Sequence, residues 1–236
     1  MTDSIRLSKR VAELRACSRR DAELTIAGGW VRVDGVVVET PQFRVTDQRI
    51  EIDPKADLAQ AEPVTLLLHK PAGCTMTDAL SLLSPATLWA DEGSSIRPLK
   101  KHFVQLTACA PLETDAAGLI VFTQDWRVAR KLLDAAATLE HEVIVEVAGE
   151  LIPNGLKRLN QGIPYQGCTP PAIKVSWQNE TRLRVALKGA QIGQIAHLCE
   201  AVGLQVVSMK RIRLGGISMG KLPSGQWRYM REGERF

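Results

Sequence analysis

The chain lacks the features that would assign it to a membrane, a secretory route or a metal-bound fold. No window of its 236 residues approaches the ~18 uninterrupted apolar residues that a membrane helix needs. The opening stretch, MTDSIRLSKR, lacks the apolar core of a signal peptide. Its five cysteines lie far apart and none forms a CxxC pair, which argues against a disulfide framework or a zinc site. We therefore expect a cytoplasmic protein with reduced thiols and no membrane contact.

The chain also lacks the residue patterns of common cofactor sites. Its four histidines show no ligand spacing, and no Ser/His/Asp arrangement can be argued. Residues 215–222, GGISMGKL, resemble the phosphate-binding loop GxxxxGK[ST], but leucine replaces the hydroxyl that binds magnesium. Pro223 and Gly225 follow where the helix of such a loop would begin, so the stretch predicts a strand, a turn and a second strand. We expect no metal, no nucleotide and no other cofactor.

Positive charge is concentrated in two places, although the net charge is only +4. Residues 6–20 hold six basic residues against one acid, Glu13. From residue 210 onward, seven basic residues stand against Glu232 and Glu234. Two basic clusters in a nearly neutral chain indicate local contacts with a polyanion.

The first sixty residues have the pattern of a small helix-and-strand module. Leu7, Val11 and Leu14 recur at helical spacing. Ser18 followed by Asp21 predicts the start of a second helix. Residues 30–38 predict two strands joined by a tight turn, and residues 53–63 are polar and bounded by prolines, as in a linker.

Residues 5–52 resemble the S4-like αL RNA-binding domain of a small-subunit ribosomal protein, with RLSK, SRR and the VxVDG hairpin in register. The resemblance implies binding to structured RNA through basic helix faces. Such contacts neutralise phosphates and depend on backbone geometry more than on sequence. The residues that the resemblance implies as RNA contacts are Arg6, Lys9, Arg10, Arg19 and Arg20.

The remainder of the chain predicts an α+β domain with a largely antiparallel sheet, because strands outnumber helices and come in adjacent pairs. The predicted strands are 64–68, 103–107, 118–123, 142–148, 172–177, 181–187 and 205–212. The predicted helices are 125–137, 153–160 and 193–202.

Three stretches of this domain, 64–232, resemble the bacterial ribosomal RNA pseudouridine synthases of the RsuA/RluF group: LLLHKPAG, PLETDAAGLIVFTQD and the segment from LKGAQIG to GQWRYM. The family joins the same RNA-binding module to the same catalytic domain in this order. Its reaction breaks the glycosidic bond of one uridine, turns the base and reattaches it through carbon. The resemblance implies an aspartate as nucleophile or base, an aromatic ring that stacks on the flipped base, and basic side chains, among them Lys70, that hold the RNA.

The chain departs from the family at each of these reactive positions. The family's Arg-Leu-Asp falls on residues 111–113, so Glu113 occupies the nucleophile position, and Asp115 matches a second acidic position. Val143 stands where the family has its stacking tyrosine, and Gly193 replaces the first of three arginines. Glutamate is one methylene longer than aspartate, and a misplacement of ~1 Å can cost ~100-fold in rate.

These departures favour a monomeric RNA-binding protein of the family, acting at ribosomal RNA, with impaired or lost catalysis. Two alternatives stay open. The chain is an active synthase that uses Glu113 or Asp115, or it is a protein–protein adaptor that kept only the fold. The stretch around Glu113 is also compatible with a polar turn before a core strand.

Overall fold

The computed structural model describes residues 4–56, 63–91, 93–94, 96–167 and 173–236. Residues 57–62 of the predicted linker and Cys168 lie outside the described residues. The chain forms two compact units, one made of residues 1–63 with 97–104 and the other of residues 64–96 with 105–236. The predicted boundaries place 97–104 in the second domain, whereas the structure places this segment in the first unit.

The described part of the N-terminal unit contains two helices and five short strands. These are β1 (Ile5–Arg6), α1 (Leu7–Arg15), α2 (Arg19–Ala27), β2 (Val31–Val33), β3 (Val36–Val37), β4 (Arg44–Val45) and β5 (Ile50–Ile52). Strand β2 lies between β3 and β5, and β1 pairs with β4, all antiparallel. The core of the unit is a cluster of seven apolar residues, Leu7, Val11, Ala22, Ile26, Val31, Val33 and Val45.

Local sequence signals explain where these elements begin and end. The Ser18 side chain accepts a hydrogen bond from the Asp21 N–H at 3.1 Å, which confirms the predicted cap of α2. Asp34 and Gly35 both have positive φ, as a two-residue hairpin turn requires. The predicted apolar stripe of α1 is shorter than expected: Leu7 and Val11 are fully buried, but Leu14 is 52% exposed.

In its described residues, the large unit is built on a nine-stranded sheet. Its strands are β6 (Thr65–Lys70), β7 (Thr107–Cys109), β8 (Ala116–Thr123), β9 (Glu140–Gly149), β10 (Lys174–Trp177), β11 (Arg182–Lys188), β12 (Leu204–Leu214), β13 (Ile217–Ser218) and β14 (Trp227–Tyr229). The order is β10-β11-β9-β12-β8-β6-β14, with β13 paired to β12 and β7 to β8. All of these pairs are antiparallel except β8 with β12, so the predicted fold class is confirmed.

The parallel pair of β8 and β12, the only one among the described strands, brings two backbones very close together. Gly118 in β8 has φ +117°, and a Cβ built on it would lie 2.3 Å from the Arg211 carbonyl oxygen in β12. Only glycine fits at this position. The close approach fixes where the turn before β8 lies relative to Arg211.

Helices cover the sheet of the large unit. They are α3 (Met76–Ser81), α4 (Trp126–Asp134), α5 (Gly155–Gln161) and α6 (Gln194–Glu200). Leu159 of α5 and Leu198 of α6 join one apolar cluster with β9 to β12, and Leu132 of α4 joins a second cluster with β6 and β8. None of the described helices is long and apolar enough to cross a bilayer.

Two parts of the predicted pattern are wrong. The strand predicted at 103–107 is a 3₁₀ turn over Lys100–Phe103 followed by the short β7. Helix α3 is absent from the prediction, although Thr75 and Asp78 form a complete capping box at its start. The stretch 215–222 does follow its prediction, because β12 turns back into β13.

Candidate functional site

A turn between β7 and β8 carries both candidate carboxylates, Glu113 and Asp115. Two buried cations contact the backbone of this turn, residues 110–116. They are Lys70 at the end of β6 and Arg211 in β12. Both cations donate to main-chain oxygens of the turn and not to its carboxylates. A buried charge needs such acceptors, because it has lost its hydration.

Lys70 has no exposed surface, and its ammonium group donates to three carbonyl oxygens. These belong to Pro71 at 3.0 Å, Thr114 at 2.8 Å and Ala116 at 2.7 Å. Burial lowers the pKa of Lys70, and the nearby Cys74 and Asp115 oppose that shift. The prediction that Lys70 contacts RNA is therefore wrong, because its three N–H groups are already used and none faces solvent.

Arg211 is the second buried cation and was missed by the sequence reasoning. Its Nε donates to the Leu119 carbonyl at 2.7 Å, and a terminal nitrogen donates to the Ala110 carbonyl. The other terminal nitrogen lies 3.4 Å from Nδ1 of His141. No ion pair joins Arg211 to an acid in the described part of the chain. Full burial lowers the pKa of Arg211 to about 9, so it stays a cation at neutral pH.

His141 faces Arg211 from strand β9 and is buried. Burial, together with the charge of Arg211, lowers the pKa of His141 to about 4. The ring is therefore neutral at pH 7. Because arginine can only donate, Nδ1 of His141 is the acceptor and the proton resides on Nε2.

The turn, His141 and Arg211 border a cavity of about 50 Å³, which can hold a few water molecules. Its apolar wall includes Val143, Ile195 and Met209, and its polar groups include Glu113, His141 and Arg211. Val143 is 5% exposed and faces this cavity. The position at which the family resemblance implies a stacking tyrosine therefore lies at the cavity, but here it carries a small apolar side chain. Asp115 is exposed and does not line the cavity.

Strand β9 is fixed beside this cavity by a buried carboxylate, Glu142, which the sequence reasoning did not single out. Glu142 is 2% exposed and pairs with Arg184 of β11 and Arg213 of β12. The Nε of Arg213 donates to Glu142 at 2.7 Å. These two pairs tie β9 to both neighbouring strands and hold Val143, the next residue, in its register.

Glu113 is bonded to the main chain of Gly193. Its Oε1 accepts the Gly193 N–H at 2.5 Å, and it forms no ion pair with any described basic side chain. The carbonyl of the same peptide unit, from Ile192, accepts the Tyr165 hydroxyl at 2.8 Å. In a trans peptide the C=O and N–H point in opposite directions, so Tyr165 and Glu113 hold this peptide from its two sides.

The backbone conformation of Gly193 and its contact with Tyr165 both require a glycine at this position. Its φ is +80°, and a Cβ would lie 2.7 Å from the Tyr165 hydroxyl oxygen. An arginine here would be strained and would displace Tyr165. The interpretation of Gly193 as a simple replacement is therefore incomplete, because its positive φ and its contact with Tyr165 leave no room for a side chain here. The available signal was a glycine at the first position of the helix predicted at 193–202.

The five predicted RNA contacts of the N-terminal unit are all exposed. Arg6, Lys9 and Arg19 line one groove of about 390 Å³, together with Ile5, Ser8 and Ala12. Arg10 pairs with Glu13 at 3.4 Å and Arg19 with Glu23 at 3.1 Å. Exposed pairs of this kind contribute little, so their cations can exchange partners.

Comparisons with known proteins agree with both units. Residues 5–49 match the family model described as the S4 domain. The chain is similar to the dual-specificity RNA pseudouridine synthase RluF of Salmonella typhi, at 27% identity over 99% of this chain and 78% of that protein. It is also similar to an uncharacterized RNA pseudouridine synthase of Aquifex aeolicus, at 29% identity over 98% and 92%.

Two further likenesses extend this result. A putative chloroplastic ribosomal large subunit pseudouridine synthase of Arabidopsis thaliana is 30% identical over 93% of this chain and 56% of its own length. A solved structure described as a pseudouridylate synthase has a TM-score of 0.60 at 19% identity and covers 97% of both chains. At that identity the structural match establishes the fold.

Proposed function

Because the chain belongs to the RsuA/RluF-type family of RNA pseudouridine synthases, we propose that it binds structured ribosomal RNA and that its isomerisation of uridine is impaired or lost. The proposal includes the roles predicted for the two domains, with residues 97–104 moved to the first, together with a cytoplasmic location and a monomeric state. RNA binding is assigned to the exposed cations Arg6, Lys9, Arg10, Arg19 and Arg20.

The observation that supports lost catalysis is the partner of Glu113. Its carboxylate is bonded to the Gly193 main chain and forms no ion pair with a described cation. The two nearby cations, Lys70 and Arg211, donate to carbonyl oxygens of the turn. A carboxylate that must approach a ribose or base needs a cation that orients it, and the main-chain bond to Oε1 does not supply one.

Val143 adds a second obstacle. A uridine that leaves its stack loses stacking energy, which an aromatic ring in the pocket normally offsets. The valine offers a much smaller contact, and the cavity beside it is about 50 Å³. Catalytic groups that act as a unit are strongly non-additive, so several replacements in one site leave little rate.

Activity is tested by tritium release. The purified protein is incubated with total RNA labelled with [5-³H]uridine, taken from cells that lack this chain. The positive control is a catalytically active synthase of the family, incubated with the same RNA. We expect no release by the wild type or by Glu113→Asp. Robust release by the wild type that Glu113→Gln abolishes would instead identify an active synthase with Glu113 as its carboxylate; if Asp115→Asn abolishes it, the carboxylate is Asp115.

RNA binding is tested with a fluorescently labelled transcript of ribosomal RNA, titrated at several salt concentrations. We expect the double variant Arg19→Glu/Arg20→Glu to bind at least ~10-fold more weakly with a smaller salt slope, because phosphate contacts are lost. The matched control is Lys157→Glu/Arg158→Glu on α5, an exposed basic pair with the same charge change. Absence of salt-dependent binding by the wild type would favour the adaptor.

A further inference from the structure

The segment Arg97–Val104 folds into the N-terminal unit although it follows the first strand of the large unit. The Lys100 N–H donates to the Glu39 carboxylate at 2.7 Å. Leu99 is 7% exposed and packs against Gly29, where a Cβ would lie 2.9 Å from a Leu99 methyl carbon and 3.5 Å from the guanidinium carbon of Arg97. A hydrogen bond and an apolar contact therefore hold the segment in place.

This segment changes the sign of the charge of the unit. Residues 1–63 contain ten basic and eleven acidic residues, a formal net charge of −1. Residues 97–104 add Arg97, Lys100 and Lys101 and no acid, which brings the unit to +2. Burial lowers the pKa of His102 to about 4, so this histidine adds no charge at pH 7. A polyanion meets a net positive unit only when the segment is present.

Two of the three cations are placed to meet a ligand. Arg97 and Lys100 are exposed and form no ion pair with a described acid. Lys100 bonds to Glu39 through its main-chain N–H, which leaves its ammonium group for another partner. Lys101 is half-buried, so it is not included.

We propose that Arg97–Val104 forms part of the RNA-binding surface of the N-terminal unit, with Arg97 and Lys100 contacting backbone phosphates. The inference rests on the proposed binding of structured RNA. The S4 domain match ends at residue 49, so these contacts come from a second, distant stretch of the chain. Phosphate contacts of this kind add affinity without adding sequence preference.

The test is a salt titration of full-length protein with the labelled ribosomal RNA transcript. The variant is Arg97→Glu/Lys100→Glu, and its control is Lys157→Glu/Arg158→Glu. Neither substitution removes the Lys100 N–H bond to Glu39, and a thermal melt verifies that both variants are folded. A second variant, Arg97→Gln/Lys100→Gln, removes the charges without reversing them.

We expect about tenfold weaker binding for the glutamate variant, a smaller loss for the glutamine variant, and a salt slope lower by about 1 to 2, one unit for each phosphate contact. The control should bind within about twofold of the wild type. If the wild type binds and both segment variants match it, this inference is overturned and the proposed function stands. If the wild type shows no RNA binding, both are overturned.

Discussion

The N-terminal unit and the turn that carries Glu113 use positive charge in opposite ways. In the N-terminal unit, Arg6, Lys9 and Arg20 are exposed and form no ion pair with a described acid. At the turn that carries Glu113, Lys70 and Arg211 are buried and donate hydrogen bonds to main-chain oxygens. An exposed cation keeps its hydration and can exchange it for a phosphate, whereas a buried cation depends on the acceptors that the fold supplies.

This difference makes the proposed loss of the reaction compatible with an intact fold. Lys70 and Arg211 stabilise the backbone of the turn without contacting the reactive carboxylate. A change of the side chain at residue 113 therefore leaves these main-chain contacts of the turn in place. We expect the large unit to stay folded whether or not it is active, and its buried cations to matter for stability far more than its exposed ones.

The largest expected effect is that of Lys70→Met. Methionine keeps much of the side-chain volume but leaves three buried carbonyl oxygens without their donor, which should lower the free energy of unfolding by about 3 kcal/mol. The matched control is Lys188→Met at an exposed position of β11, where the change should stay below about 0.5 kcal/mol. Urea unfolding measures both. Similar values for the two variants would break the contrast between buried and exposed cations.

A pH titration should show the next largest effect, through His141. Its folded pKa, about 4, lies below the usual value of 6.5, so the unfolded chain binds more protons between these values. The contribution of His141 to the free energy of unfolding is then complete above pH 6.5 and falls as the pH drops from 6.5 towards 4. The contribution of His141 between pH 7 and pH 5 is about 2 kcal/mol.

Urea unfolding at both pH values checks this for the wild type and for His141→Gln. The glutamine variant should be less stable at pH 7, since it changes a buried contact of Arg211, but should lose less stability on acidification. An unchanged pH slope in the variant would assign the acid sensitivity to other groups.

The smallest effect separates two neighbouring exposed cations. Lys9 lines the groove of the N-terminal unit, whereas Arg10 is outside that lining and pairs with Glu13. Lys9→Gln should weaken RNA binding a few-fold and lower the salt slope by about 1, because one phosphate contact is lost. Arg10→Gln should change both less. Equal effects in the same titration would mean that only the total charge of the unit matters.

Local signals predicted much of the fold. The cap at Ser18, the Asp34-Gly35 turn and the buried strand after residue 63 each depend on neighbouring residues, and the structure has all three. The predicted strands at 118–123, 142–148 and 205–212 lie within observed ones, and the strand predicted at 181–187 is shifted by one residue from the observed β11. Within the described residues, the strand predicted at 172–177 occupies 174–177. Helix α4 ends at Asp134, three residues before its predicted end.

What the sequence could not predict depends on contacts between distant residues. Burial of Lys70 follows from the carbonyls at Thr114 and Ala116, more than forty positions away. The role of Gly193 depends on Tyr165, and the placement of Leu99 depends on Gly29. A resemblance to a family transfers residue positions, but it does not show how a backbone has adjusted to the replaced side chains.

The return of Arg97–Val104 to the N-terminal unit has a consequence for synthesis of the chain. A contiguous N-terminal domain can begin to fold as soon as its last residue has left the ribosome. Here the unit is incomplete until Val104 has been made, about 40 residues after Pro63. At 5–20 residues per second this is a delay of about 2–8 s, during which the apolar contact that Leu99 makes with Gly29 cannot form. Residues 1–63 therefore emerge with a net negative charge. The unit becomes net positive only after residues 97–104 have been added, when the first part of the large unit has already been made.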